Sequence, residues 1–258
     1  MSAIQQTPLA RILSHEADYW TSIAQVEQRD GWKLYHNADF PRRFDPNHAG
    51  DFRADDGQGN AIAAEIIDFY QARGTAPVAY VDLLATPADL LPELLAAGFQ
   101  EWSGAWSDLM MYVGPDEAKA SYVPVITVRS EQERADWASI IDEADDEQTR
   151  TILPKLYSRE IADPRMTAYL AYVDREPAAR CELFSADRLG RVEAVRTMAT
   201  FRGRGLAAIL IRKAIRDSVS QGNHLTYIYA EPGGDAQRLY TRLGFRVVAR
   251  NLIRSFFR

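Results

Sequence analysis

Arg202-Gly203-Arg204-Gly205-Leu206-Ala207 is the stretch on which the reading of this chain turns. A β-like run, 192–200, leads into it, and an apolar helical run, 206–219, leads out. Strand, glycine-bearing turn and helix in that order build an anion site. The first amides of a helix have no internal acceptor, and the helix dipole adds partial positive charge there. Gly203 and Gly205 let an anion approach the backbone closely. Arg202 and Arg204 add charge, and a guanidinium forks onto phosphate oxygens. The same four letters, RGRG, also suit a solvated basic turn, so the neighbouring sequence has to decide.

About 35 residues on comes Asp235-Ala236-Gln237-Arg238-Leu239-Tyr240-Thr241-Arg242-Leu243-Gly244-Phe245. This reads as a short amphipathic helix with Asp235 as N-cap and Gly244 as its stop. Between the two stretches lies a strand-like run, 225–230. Together these features resemble the GNAT acetyltransferase superfamily. Its acetyl-CoA motif, (Gln/Arg)-x-x-Gly-x-(Gly/Ala), is met by Arg202 to Ala207. Its second motif is met by Ala236, Leu239, Tyr240, Leu243, Gly244 and Phe245. The good match covers roughly residues 178–248. Members often carry Asn seven residues before the Tyr; here that place is Gly233.

The resemblance implies an α/β fold with a central mixed sheet, flanking helices and a splayed strand pair. It implies acetyl-CoA as co-substrate, with backbone groups of Thr197, Met198 and Ala199 facing the pantetheine arm. The amides from Gly203 to Ala207 would cradle the pyrophosphate, and the thioester would sit in the V opened by the strand carrying Tyr227 and Ile228. Tyr240 takes the family's general-acid position. For the base, Glu193 is the first candidate, and Glu182 on the adjacent strand is the second. A mid-strand carboxylate needs a reason, since burying an unpaired charge is costly; either a base role or pairing with Arg180, Arg191 or Arg196 supplies one. Strand alternation places Glu193, Val195 and Thr197 on one face and Ala194, Arg196 and Met198 on the other.

The chain also repeats itself. In the first half Phe52-Arg53 precedes a glycine-bearing loop, a helical run (61–72), Gly74, a strand-like run (78–84), a helical run (88–97) and Gly98-Phe99. The second half follows Phe201-Arg202 with the same series, ending at Gly244-Phe245. Two copies of one α/β unit are expected, residues 1–115 and residues 122–258. In the first copy Asp55 and Asp56 stand in the turn, where they would repel a pyrophosphate, and Leu91 stands where Tyr240 does. The first copy is therefore expected to be degenerate and not to bind CoA.

Composition sets the remaining bounds. The chain has 258 residues, is 47% hydrophobic and carries a formal charge of −6. That charge disfavours nucleic acid as a partner, because such binding runs on phosphate neutralisation. The one cysteine, Cys181, lies in a strand-like run (178–186) and reads as a buried apolar residue. His15, His36, His48 and His224 lack metal-ligand spacing, so no metal is expected. No apolar run reaches the roughly 18 residues a membrane span needs, and the N-terminus lacks the order of a signal peptide. A cytoplasmic monomer or homodimer is expected. The acid-rich run 142–147 suits a solvated loop; the family resemblance implies instead that it rims the acceptor cleft, where it would draw a cationic small-molecule amine.

Two functional readings stand, with two weaker rivals. The first is N-acetyl transfer from acetyl-CoA to a primary amine. The second is a non-catalytic CoA-binding module acting as a sensor. A dinucleotide binder would need G-x-G-x-x-G spacing, which is missing, and a purely structural protein would not need two arginines at a helix N-terminus.

Overall fold

A computed structural model describes residues 7–102, 107–114, 124–141 and 147–258. The chain divides into two compact units: residues 1–107 with 250–258, and residues 108–249.

The first unit contains helix α1 (Pro8–Trp20), hairpin strands β1 (Gln25–Arg29) and β2 (Trp32–His36), and β3 (His48–Gly50). Helix α2 (Gly59–Gln71), β4 (Val78–Asp82), α3 (Leu90–Ala96) and β5 (Gln100–Glu101) follow. The second unit begins with β6 (Asp108–Tyr112) and β7 (Val125–Thr127), followed by α4 (Glu131–Ser139) and α5 (Glu147–Glu160). The long strands β8 (Met166–Val173), β9 (Glu176–Ala186) and β10 (Leu189–Thr197) come next, then α6 (Leu206–Ser220), β11 (Leu225–Ala230), α7 (Asp235–Arg242) and β12 (Phe245–Arg250). A last strand, β13 (Ile253–Phe257), returns to the first unit.

Both sheets are mixed, as expected. Their orders are β1-β2-β3-β4-β13-β5 and β12-β6-β11-β10-β9-β8-β7. Laid side by side, β1 to β4 match β8 to β11. Helix α2 connects β3 to β4 as α6 connects β10 to β11, so the repeat read from the sequence is present in the fold.

One departure concerns the boundary. A linear division into 1–115 and 122–258 does not coincide with the compact units. The place between β4 and β5 is taken by β13, from the end of the chain, paired antiparallel from Ile253↔Asp82 to Phe257↔Val78. The equivalent place beside β11 is taken by β6, paired from Tyr227↔Met111 to Ala230↔Asp108. Each half of the chain thus completes the other half's sheet. Local pattern cannot reveal this, because a five-residue apolar strand pairs equally well in either sheet.

Helix α6 shows how the sequence forms the second unit. Its buried residues are Leu206, Leu210, Ile211, Ala214, Ile215 and Ser218. That spacing lays one stripe against the sheet, where Met110, Cys181, Leu183, Val192 and Phe245 complete the core. On the opposite face, Trp137, Ile140 and Leu170 form a second cluster under α4. Helix α4 starts with the expected capping box: Ser130 Oγ accepts from the Glu133 amide, and Glu133 Oε2 accepts from the Ser130 amide at 2.8 Å. Those amides hold the Glu133 carboxyl below its usual range. Asp235 is not the cap of α7; Gly234 is, and Asp235 is the first helical residue. Gly244, at φ 95°, ends that helix as expected.

Phe256 on β13 is fully buried in the core of the first unit. Phe256→Ala is expected to destabilise that unit by about 3–5 kcal/mol, read as accelerated hydrogen exchange of the β4 amides. Loss below about 1 kcal/mol would mean that β13 is not part of that core.

Candidate functional site

Strand β10 is the axis of the site. It pairs parallel with β11 at Leu189↔Leu225, Gly190↔Thr226 and Arg191↔Tyr227, and the ladder ends there. Beyond Arg191 the two strands diverge, and the edge of β10 that faces the gap has no strand partner. This is the expected V.

On its other side, β10 remains paired with β9 through Thr197↔Ala179. That ladder is interrupted by a bulge between Glu193 and Arg196, with Ala194 at φ 53°. Glu193 lies opposite Glu182, and Arg196 opposite Arg180. Ala194 and Val195 on β10 therefore lie opposite the single residue Cys181 on β9. The extra residue corrects the simple alternation: Glu193 shares a face with Ala194, Arg196 and Met198, not with Val195 and Thr197. Ala194 and Met198 pack in the cluster under α4, whereas Val195 packs in the cluster under α6.

After β10 the chain makes one 3-10 turn, Ala199–Phe201, and enters the motif. Gly203 and Gly205 both have φ 77°. A Cβ at either would meet nothing within 4 Å, so the left-handed backbone, not crowding, is what requires glycine there. Gly205 is the N-cap of α6, with no side-chain cap. Ile209 is the residue whose amide bonds the Gly205 carbonyl, at 3.2 Å. The earlier amides of the helix lie ahead of that first turn and are open to an outside acceptor.

A cavity of about 590 Å³ lies along this turn. Of the expected cofactor residues, Thr197, Arg202, Gly203, Gly205, Leu206 and Ala207 line it. Arg204 is exposed beside it, with its guanidinium 5.4 Å from the Phe201 ring. Met198 and Ala199 are not in its lining. The Met198 amide turns back to the Ala178 carbonyl at 3.0 Å. The sequence reading did not assign Val195, Arg196, Arg238, Leu239 or Arg242 to the cofactor, yet they also line the cavity; Asp235, Arg238 and Arg242 stand three and four residues apart on one stripe of α7, which helical spacing could have found.

Tyr240 lines the cavity and is 5% exposed. Burial, then the negative charge of Glu193, raises its phenol above the ordinary value. The hydroxyl therefore keeps its proton through the neutral range. Glu193 lies on the opposite face of β10 from the α6 cluster. Arg191 donates to its Oε2 at 2.8 Å, and the Ala194 amide donates to Oε1 at 3.1 Å. Pairing thus accounts for Glu193 in mid-strand without excluding a base role.

Glu182 is fully buried, and neither carboxyl oxygen has a hydrogen-bond partner. Burial, then the charges of Glu160 and Glu193, push its carboxyl well above the usual range. It is the acid form that tolerates such a place. Burial likewise pushes the Cys181 thiol up, which rules against a thiolate nucleophile there. The acid-rich run lies outside the described residues at positions 142–146. Among the described residues no group of three or more His, Cys, Asp and Glu is placed to hold a metal. No helix among them is long and apolar enough to cross a membrane.

Residues 134–245 match the model of the acetyltransferase (GNAT) family. That stretch lies within the second unit and carries the likeness to GNAT acetyltransferases. The two mixed sheets match tandem GNAT-like folds. A GCN5-related N-acetyltransferase from Kribbella flavida shares the fold with a TM-score of 0.72 at 19% identity, over 98% of this chain and 96% of that one. A functionally unknown conserved protein from Staphylococcus epidermidis gives 0.68 at 12% identity, over 99% of both chains. A tandem GNAT protein from the clavulanic acid biosynthesis pathway gives 0.56 at 11% identity, over 76% and 68%. No curated protein matches this chain in sequence. GNAT proteins generally bind acetyl-CoA, and the uncapped helix start, left-handed glycines and adjoining cavity fit such a co-substrate.

Glu182 yields a pH prediction. A carboxyl whose folded pKa is raised contributes stability that is fully present below its unfolded value and lost as pH rises through the folded one. Glu182→Gln removes that loss. The melting temperature of the variant relative to wild type should therefore climb as pH rises above the unfolded carboxyl value of about 4.3. A difference independent of pH would show that Glu182 does not gain charge in this window.

Proposed function

We propose that this protein transfers an acetyl group from acetyl-CoA directly to a primary amine of a small molecule, using the C-terminal unit alone. The observation that carries this reading is the unpartnered edge of β10 beyond Arg191, running straight into the uncapped start of α6 with Tyr240 in the same cavity.

In this reading, backbone groups of Val195 to Thr197 bond the pantetheine arm as an added strand would, with Met198 and Ala199 at the end of that run. Amides from Gly203 to Ala207 hold the pyrophosphate, with Arg202 and Arg204 adding charge. The acceptor nitrogen must lose a proton before it attacks the thioester carbon. Glu193, partly exposed and on the face of the sheet under α4, is the candidate to take that proton. As the carbon–sulfur bond breaks, Tyr240 gives its proton to the departing sulfur. The phenol arrives protonated, as a donor must, although its raised pKa makes it a weaker acid than a free tyrosine.

The N-terminal unit is proposed not to bind CoA. At its equivalent turn the Asp89 carboxylate already accepts from the amides of Gly57 and Gly59, at 3.1 Å each. An internal anion thus occupies the position a phosphate would need, adding to the charge of Asp55 and Asp56. A structural role remains for this unit.

The alternative reading, a CoA-binding sensor without turnover, predicts the same binding and no thiol release. Isothermal titration of acetyl-CoA should give one site per chain with micromolar affinity, abolished in Arg202→Glu/Arg204→Glu. No binding by folded wild type would sink the acetyltransferase reading. Tyr240→Phe should keep that binding and lower kcat by about a hundredfold or more. Unchanged turnover would remove Tyr240 from the mechanism.

A further inference from the structure

The end of β13 carries an aromatic cluster that the acetyl-CoA reading does not use. Phe256 is buried in the core of the first unit, so its neighbour Phe257 points to the other face of the sheet. Gln100 on β5 lies opposite Phe257, and the Trp102 amide donates to the Ser255 carbonyl at 2.9 Å, which puts Trp102 on the same face as Phe257. Phe44, from the segment between β2 and β3, packs against both rings. All of these residues belong to the first unit.

The three rings stand nearly at right angles to one another. Their planes meet at 73° for Phe44 and Trp102, 83° for Phe44 and Phe257, and 81° for Trp102 and Phe257, with centroids 5.7, 5.3 and 5.5 Å apart. Edge-to-face clusters of this kind are ordinary in a core, where they bury their rings. Here Trp102 stays 46% exposed, and the three rings line one cavity of about 260 Å³ together with Gln100 and Glu101. Three perpendicular walls suit a compact, rounded guest. A flat ring could stack on one wall only and would meet the others edge-on.

Charge selects among compact guests. The face of an aromatic ring is the negative side of its quadrupole and attracts a cation within about 6 Å of its centre. Glu101 adds a carboxylate. Arg254 donates from Nε to its Oε1 at 2.7 Å, and that bond holds the Glu101 carboxyl below its usual range. Glu101 lines the cavity and Arg254 does not, so the pair turns its negative end toward the guest. Arg43 lies 5.6 Å from the centre of the Phe44 ring, but Asp45 holds it at 3.3 Å and it is not part of the lining. A primary ammonium would need acceptors for three N–H groups, and only Gln100 and Glu101 offer polar side chains there. A fully methylated nitrogen has no donors to satisfy and presents methyl groups to the rings.

We infer that Phe44, Trp102, Phe257 and Glu101 form a binding site for a quaternary ammonium group of a small molecule. The site shares no lining residue with the 590 Å³ cavity of the second unit, and it stands whether or not that cavity holds acetyl-CoA. It gives the first unit a ligand of its own, beyond a structural role.

The test titrates the full chain with choline and with 3,3-dimethylbutan-1-ol, which has the same shape and no charge, followed by calorimetry and by tryptophan fluorescence. Choline should saturate the protein in the millimolar range or below and bind about tenfold or more tightly than the alcohol, the worth of desolvated cation–π contacts. Trp102→Leu and Phe44→Leu each keep an apolar wall and remove a ring face. Each should weaken choline by about fivefold or more and leave the alcohol nearly unchanged, with folding verified by melting temperature. Equal affinity for the two compounds would make this an ordinary apolar pocket and overturn the inference. So would choline that fails to saturate below about 100 mM, or choline binding that survives in both variants. The comparison of the two compounds on wild type needs no variant, so it decides alone if either substitution prevents folding.

Discussion

The site depends on a single event in the backbone: β10 stops pairing with β11 after three residues. Both strands continue, β10 to Thr197 and β11 to Ala230, but no ladder joins them. A buried strand edge without a partner carries donors and acceptors that must be satisfied somehow. In the C-terminal unit the divergence opens onto a cavity, so a bound molecule can satisfy them. The bulge at Glu193–Arg196 accompanies that divergence, and it also decides which side chains face α4.

The two units show what a small change in that feature does. In the first, β3 and β4 are joined at Ala49↔Ala79, and Arg53↔Thr86 bridges the strands again further along. Asp89 then seals the amides at the start of α2. In this copy the backbone bridge and the Asp89 carboxylate take up groups whose counterparts stay open in the second unit, and the proposal that it binds no CoA rests on that. In the second unit no acidic side chain caps the start of α6, and Asp235 pairs with Arg238 instead. Charge and pairing at two turns, not architecture, separate the two copies.

Much of this was legible in the sequence because it is local. The strand–turn–helix order around Gly203 and Gly205, the amphipathic stripe of α6, the limits of β11 and the stop at Gly244 all follow from spacing and from the backbone freedom of glycine. What was not legible is non-local. Alternation put Glu193 with Val195, and a one-residue bulge with no sequence mark reversed that. The exchange of β6 and β13 between sheets depends on pairing partners far apart in the chain. Asp89 lies 30 residues from the amide of Gly59 that it caps, so only the acidic character of the first turn, Asp55 and Asp56, hinted that this copy was closed.

The most direct test of the central claim is hydrogen exchange of the backbone amides, with and without saturating acetyl-CoA. The account predicts slowed exchange at residues 195–197 and 203–207, with no change at residues 57–59, where Asp89 already holds two of the amides. Protection at residues 57–59, or none along β10 and the start of α6, would contradict it.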